Sequence, residues 1–242
     1  ITHAACFVTS AYSSYSGCRQ YREDLFDATH GLDIKLSRMR HYFNHPGFVG
    51  PLTEATRAGL EHLAGAHVIF VTHSIPDSMN VASGGPGVMA YERQHRQVAE
   101  LVATSAGAQE WSVAYCSRSG SPHMPWLEPD INDHLRELHL DGVRSVVVVP
   151  IGFVSDHMEV IYDLDTEAMA TAKELGIAFE RVDTPGTHPA FVAMVRGLVL
   201  ERAAAERGES VERLTVGDMG PSHDICAVDC CANARSDHPT IA

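Results

Sequence analysis

Short apolar runs alternate with stretches of helical periodicity along most of this chain, and that alternation confines the fold. The strand-like runs are 6–9, 67–72, 111–115 and 145–150. The last holds Val146, Val147, Val148 and Val149 in succession, as in a strand buried on both faces. Helical spacing fits 46–63, 88–103, 130–138, 156–175 and 189–205. Gly107, Gly142 and Gly176 stand just past three of these helices, where a left-handed cap is expected. The pattern predicts an α/β fold with parallel sheets and right-handed crossovers. A boundary near Gly65 would separate two sheet-containing parts, and the periodicity fades after Gly208 into a tail that carries three cysteines.

A chain of 242 residues can bury a substantial core. No run approaches the roughly 20 apolar residues of a membrane helix. No charged-apolar-small signal pattern opens the chain, so a cytoplasmic protein is expected. The net charge of −13 argues against nucleic acid, whose binding needs basic surface to displace counterions. Histidine is abundant at 15, too many for all of them to serve one metal site.

Two stretches carry the chemistry. Val71-Thr72-His73-Ser74-Ile75-Pro76 and Pro150-Ile151-Gly152-Phe153-Val154-Ser155-Asp156-His157-Met158-Glu159 each read as a strand running into a polar turn. In parallel α/β sheets, ligands bind outside the carboxyl ends of the strands. An imidazole and a carboxylate meeting there suit a divalent cation such as ferrous iron. Glu159, Asp163 and Glu167 follow at i, i+4 and i+8 along one side of the next helix. A π-type turn would align that series better than an α-helix, and π-bulges occur mostly at functional sites. The window 155–167 holds five acids and no Lys or Arg. Bound cations or shared protons would relieve their repulsion, although a solvated acidic face near a helix N-terminus is the plainer alternative.

Six cysteines occur, and Cys226, Cys230 and Cys231 form a Cys-x3-Cys-Cys cluster in the tail. A cytosolic setting disfavours structural disulfides. Clustered thiolates point instead to an iron–sulfur centre, zinc, or free redox thiols; a [2Fe–2S] centre needs four ligands. Cys6, in a strand-like run, reads as a buried small hydrophobe, and Cys116, just past another, reads as structural, with a spare ligand as the alternative.

The two strand–turn words, with Ser117-Arg118-Ser119-Gly120 and Pro125-Trp126-Leu127-Glu128-Pro129 between them, closely resemble ferrochelatases over about residues 7–200. The resemblance implies two Rossmann-like, chelatase-type lobes, the first of them incomplete. Residues 1–65 would be the remainder of the N-terminal lobe and 66–185 the C-terminal lobe. Residues 186–207 would pack back on the first lobe, and 208–242 would be the cysteine-containing tail. Ferrochelatases carry further residues upstream, so the chain is expected to lack an N-terminal part that supplies porphyrin contacts.

The activity implied is insertion of Fe2+ into a porphyrin, a lyase reaction of haem biosynthesis. His73 would take protons from the pyrrole N–H groups or ligate iron; neutral imidazole can accept a proton at neutral pH. Glu159 would ligate iron or relay protons, and Asp163 and Glu167 would form a metal or proton conduit. Asp156 and His157 lie beside them as supporting candidates. Tyr21 matches a porphyrin-facing position, with Tyr12 and Tyr15 as alternatives, and Trp126 would buttress the cleft. Cys18 stands where relatives with a [2Fe–2S] cluster place a distant fourth ligand, beside Cys226, Cys230 and Cys231. Cys116 occupies a position that is often glutamine in relatives.

The tail and the stretch 10–21 look most like the bacterial branch acting on coproporphyrin III, with Fe-coproporphyrin III as product. The alternatives are a protoporphyrin IX ferrochelatase, a cobalt chelatase for a sirohydrochlorin-type ring, and a non-catalytic iron–sulfur or haem-binding protein. Cobalt chelatases of this fold usually place two histidines at the metal, which favours iron for a His/Glu pair. Porphyrin and ferrous iron are the partners expected, with other haem-pathway enzymes as further ones.

Overall fold

The computed structural model describes residues 1–121 and 123–241. The chain separates into two compact units that interleave in sequence. Unit 1 comprises Ile1–Phe48, Ser78–Gln94 and Pro189–Ala242; unit 2 comprises Val49–Asp77 and His95–His188. Gly65, where the sequence suggests a boundary, is the left-handed residue (φ 74°) between a helix and a strand of unit 2.

Unit 2 is built on four parallel strands: β3 (His67–His73), β4 (Trp111–Cys116), β5 (Ser145–Val149) and β6 (Ala178–Arg181). Their order is β4-β3-β5-β6. The chain leaves β3 for β4 on one side and then returns to place β5 on the other. The carboxyl ends of β3 and β5 therefore flank a topological switch point, where ligands bind in such sheets. Val68–Val71 and Val146–Val149 are wholly buried, as a strand covered on both faces requires. The core joins these strands to Ile131, Leu135 and Leu138 of α5 (Ile131–Leu140) and to Val160, Leu164, Ala168 and Ala172. Glycines after α4 (Ala90–Ala106), α5 and α6 (Met169–Leu175) adopt φ of 82°, 91° and 69°, the left-handed caps expected.

Unit 1 holds a parallel pair, β1 (His3–Cys6) and β2 (Lys35–Arg38). A π-helical turn, Tyr15–Arg19, leads into α1 (Gln20–Thr29). Tyr12, Tyr42, Phe43 and Phe48 pack with Phe191 of α7 (Pro189–Glu206) into an aromatic core. Glu201 of α7 also takes a two-pronged ion pair from buried Arg40 at 2.7 and 3.2 Å. The described residues also form α2 (Pro46–His62), most of which belongs to unit 2, and α3 (Asp77–Ala82).

One expectation needs correction. The first strand is His3–Cys6, not 6–9: its partner β2 ends at Arg38, opposite Cys6, so residues 7–9 have no ladder to join. The helix expected over 156–175 is present, with the π-type turn that the carboxylate spacing favours over Val160–Ala168, and it continues as α6. The tail after Gly208 lacks helix and strand among the described residues, yet it is not loose. Buried guanidinium groups need acceptors, and the tail's carbonyls supply them. Arg19 donates to Val228 O at 2.7 Å, Arg22 to Ile241 O at 3.0 Å and Arg40 to Leu214 O at 3.1 Å. Among the described residues, no helix is long and apolar enough to cross a membrane.

Candidate functional site

His73 closes β3, half-buried, with Nε2 3.7 Å from Glu159 Oε1. Its Nδ1 lies 2.5 Å from the carbonyl oxygen of Ser74. A carbonyl only accepts, so Nδ1 carries a proton, and Nε2 is the ring nitrogen that faces Glu159. The turn after His73 is braced. Ser74 N–H donates to Cys116 O at 2.8 Å, and Ser74 Oγ to Leu127 O at 2.7 Å. Leu127 N–H reaches Ile75 O, Asp77 N–H reaches Pro125 O, and Trp126 bridges Pro76. The Pro125–Leu127 stretch is thus the buttress of the His73 turn. A Cβ on Gly120 would come within 2.4 Å of the Trp126 ring, so only glycine lets the preceding loop pass the indole.

Glu159 opens the π-helix, in which each turn closes on a residue five positions away. Thr166 Oγ1 follows the wider turn, donating to Ile161 O at 3.2 Å. Arg181, from β6, binds Asp165 at 2.7 Å and Asp156 at 3.1 Å, and these carboxylates push its pKa further up. Two of the five acids are therefore neutralised. Glu159, Asp163 and Glu167 have no Lys or Arg partner among the described residues. Asp163 accepts a very short hydrogen bond from Ser117 Oγ, and Ser117 holds a left-handed φ of 62°. The Glu159 N–H donates to His157 Nδ1 at 3.2 Å, which orients that imidazole beside the same carboxylate. Glu159, without a Lys or Arg partner among the described residues and 3.7 Å from the His73 imidazole, offers a donor pair that suits a hard or borderline cation.

In unit 1 the three candidate tyrosines separate by environment. Tyr12 is core, packed on Phe43 and Phe48, and burial pushes its phenol well above the ordinary value. Tyr15 donates to Glu23 at 2.9 Å and accepts from Asn233. Tyr21, the second residue of α1, leaves 41 % of its surface exposed.

Cys18, Cys226, Cys230 and Cys231 are buried together and unbridged. Cys18 Sγ and Cys226 Sγ are 4.0 Å apart, and Cys230 Sγ and Cys231 Sγ 3.9 Å. A disulfide would need about 2.05 Å. Separations near 4 Å are edges of a tetrahedron about a metal with bonds of about 2.3 Å. Cys18 rides on the Tyr15–Arg19 turn, whose start is fixed by Ser14 Oγ accepting from Gly17 N–H at 2.8 Å. Arg38 donates to Cys226 Sγ at 3.1 Å, and Gly84 N–H to Cys231 Sγ at 3.3 Å. The Cys226 thiol is held far below its usual range, first by Cys18 and then by Cys230. Cys18 is pushed up to about 12, first by its bond with Cys226.

Sequence reasoning passed over His223. Its Nε2 lies 4.0 Å from Cys230 Sγ, and its donor atom, with those of Cys226 and Cys230, falls within one 4.8 Å group. The signal was present as His-x2-Cys-x3-Cys. Cys116 lies outside this group, its thiol pushed up to about 12 by burial; Cys6 is only half-buried.

The family model for ferrochelatase matches residues 1–203. The coproporphyrin III ferrochelatase of Streptomyces griseus is 52 % identical, over 98 % of this chain and 68 % of its own. That of Streptomyces coelicolor is 52 % identical over 97 % and 68 %, and that of Leifsonia xyli 44 % over 97 % and 66 %. The chain spans about two thirds of the length of these curated relatives. Among solved structures, SirB from Bacillus subtilis with Fe3+ matches with a TM-score of 0.56 at 15 % identity, over 86 % of this chain and 74 % of that one. CbiX gives 0.53 at 14 %, over 82 % and 75 %. These likenesses show the chelatase type of α/β fold. The chain belongs to the ferrochelatase family.

Proposed function

We infer that the chain acts as a coproporphyrin III ferrochelatase, a lyase that inserts Fe2+ into coproporphyrin III to give Fe-coproporphyrin III in haem biosynthesis. The names of the relatives support the substrate. The observation that carries the site is the His73–Glu159 pair at 3.7 Å, at the switch point of the unit 2 sheet.

Insertion exchanges two pyrrole protons for one Fe2+. The ring nitrogens can bind the metal only as those protons leave. Nε2 of His73, with its tautomer fixed by Ser74, takes a pyrrole proton as a general base. Glu159 passes it on or holds iron at the ring. Asp163 and Glu167 continue the anionic row, and Ser117 fixes the Asp163 carboxylate. Arg181 removes Asp156 and Asp165 from competition for the cation. Tyr21 presents an aromatic face and a hydroxyl to a porphyrin edge.

The domain reading is that unit 1 contains the remainder of an N-terminal chelatase lobe and the cysteine tail, and unit 2 the C-terminal lobe. Cytoplasmic location and contacts with other haem-pathway enzymes belong to the same reading.

The four buried cysteines fit a [2Fe–2S] cluster in number, donor type and separation. When bound, the cluster supplies a cross-link between Cys18 and the tail. Iron insertion changes no oxidation state, so the cluster's role is structural or sensory.

The experiment is the insertion rate against ferrous iron for Glu159→Gln. The neutral amide should lower kcat/KM for iron roughly 10²–10⁴-fold while the affinity for porphyrin, read by fluorescence quenching, stays put. An unchanged iron profile would contradict the role of Glu159.

A further inference from the structure

Arg38 ends β2 and is 2 % exposed. A guanidinium that loses its water needs anions and acceptors in exchange. Other buried arginines of unit 1 have oxygen partners: Arg40 binds Glu201, Arg19 binds Glu23, and Arg22 donates to Ile241 O and Thr240 Oγ1. Arg38 has no carboxylate partner among the described residues. Among them its side chain makes one hydrogen bond, from Nη2 to Cys226 Sγ at 3.1 Å, and its buried Nε has no partner. A neutral thiol is a weak acceptor, so this arrangement is unsatisfied around protonated cysteines.

A [2Fe–2S] cluster on four thiolates carries roughly two net negative charges when oxidised and roughly three after one-electron reduction. That charge would face a buried guanidinium whose Nε has no partner and which binds no carboxylate among the described residues. We propose that Arg38 is the buried counter-charge of the cluster, holding Cys226 as a thiolate ligand and raising the cluster's reduction potential. The inference rests on the [2Fe–2S] reading. It makes Arg38 a positioning residue that acts through Cys226. The Gly84 amide at Cys231 is a second, uncharged donor to the sulfurs. Net charge and hydrogen bonds to the sulfurs are two of the levers that set such potentials.

The test uses the whole chain, reconstituted anaerobically with ferrous iron and sulfide. Iron and sulfide content and visible absorbance read loading. Dithionite titration followed by electron paramagnetic resonance reads the potential. Arg38→Gln keeps an N–H donor but removes the charge; Arg38→Lys keeps the charge. The expected result is a wild-type-like potential for Arg38→Lys and a more negative one for Arg38→Gln. Loading of Arg38→Lys but not of Arg38→Gln would support the counter-charge equally. The same potential in Arg38→Gln as in wild type would overturn it. So would Arg38→Lys behaving like Arg38→Gln, whether both are shifted or both fail to load. Wild-type chain that takes up no iron and sulfide would remove the cluster reading itself, an outcome the loading assay distinguishes before any potential is measured.

Discussion

Ser74 decides what His73 can do, because its carbonyl claims the proton on Nδ1 and leaves Nε2 as the basic nitrogen. The sequence marked His73 and Glu159 through strand–turn words, but not this tautomer, which depends on where a carbonyl points. Arg38 and His223 escaped for a similar reason: nothing local in a basic residue announces that it meets cysteines from a distant tail. Another buried histidine yields a pH prediction. His45 accepts from Gly47 N–H at 2.9 Å at the start of α2, and burial, with Arg40 adding to it, pushes its pKa down to about 4. Above the ordinary value of about 6.5 both native and unfolded states are neutral, and folding is indifferent to pH at this group. As pH falls from 6.5 toward 4 the unfolded chain takes a proton that the native state refuses, so stability falls; below about 4 the loss levels off. His45→Asn keeps an oxygen acceptor for Gly47 and removes the titration. Urea unfolding between pH 7.5 and 5 should show a shallower loss in the variant, reduced rather than abolished because buried His41, pushed down to about 3, shares the window. Parallel slopes would contradict the assignment.

Elements long enough to bury a continuous apolar face were legible, as β3, β4, β5, α2 and α7 show. β2, α3 and β6 were not, being short and mostly polar or half-exposed. The π-helix agrees with the spacing by four of three carboxylates, which a wider turn aligns better than an α-helix. The turn between β5 and that helix depends on Gly152. A Cβ there would stand 2.1 Å from Thr72 Oγ1 and 2.9 Å from its Cα, one residue before His73. Gly152→Ala must therefore push β3 and the turn apart, at a cost of about 1–3 kcal/mol. Calorimetry should show a lower Tm, and iron insertion should fall with it because His73 and Glu159 flank the displaced contact. A variant with wild-type Tm and rate would show that the sheet yields freely at this point.

For the molecule as a whole, the α/β class and parallel sheets followed from the alternation of runs, whereas the interleaving of the two units did not. Segment 78–94 joins unit 1 through bonds such as Ser13 N–H to Gln94 Oε1 at 2.8 Å, which no local pattern encodes. The cysteine set bears on the same unit. A cluster tying Cys18 to the tail closes a very long loop, and a ligand that binds only the native state raises its stability by mass action. Cys18→Ser should lose the [2Fe–2S] absorbance and lower the melting temperature of the reconstituted chain toward that of the metal-free one. A full cluster spectrum in that variant would remove Cys18 from the ligand set and make His223, whose donor atom groups with those of Cys226 and Cys230, the candidate in its place. The central claim is that His73 takes pyrrole protons during iron insertion into coproporphyrin III. Its most direct test is anaerobic ferrous-iron insertion by this chain, with coproporphyrin III and protoporphyrin IX in parallel, followed by absorbance. The account predicts faster metallation of coproporphyrin III, abolished by His73→Ala with the circular dichroism spectrum unchanged. Metallation at an undiminished rate by His73→Ala, or a preference for protoporphyrin IX, would contradict it.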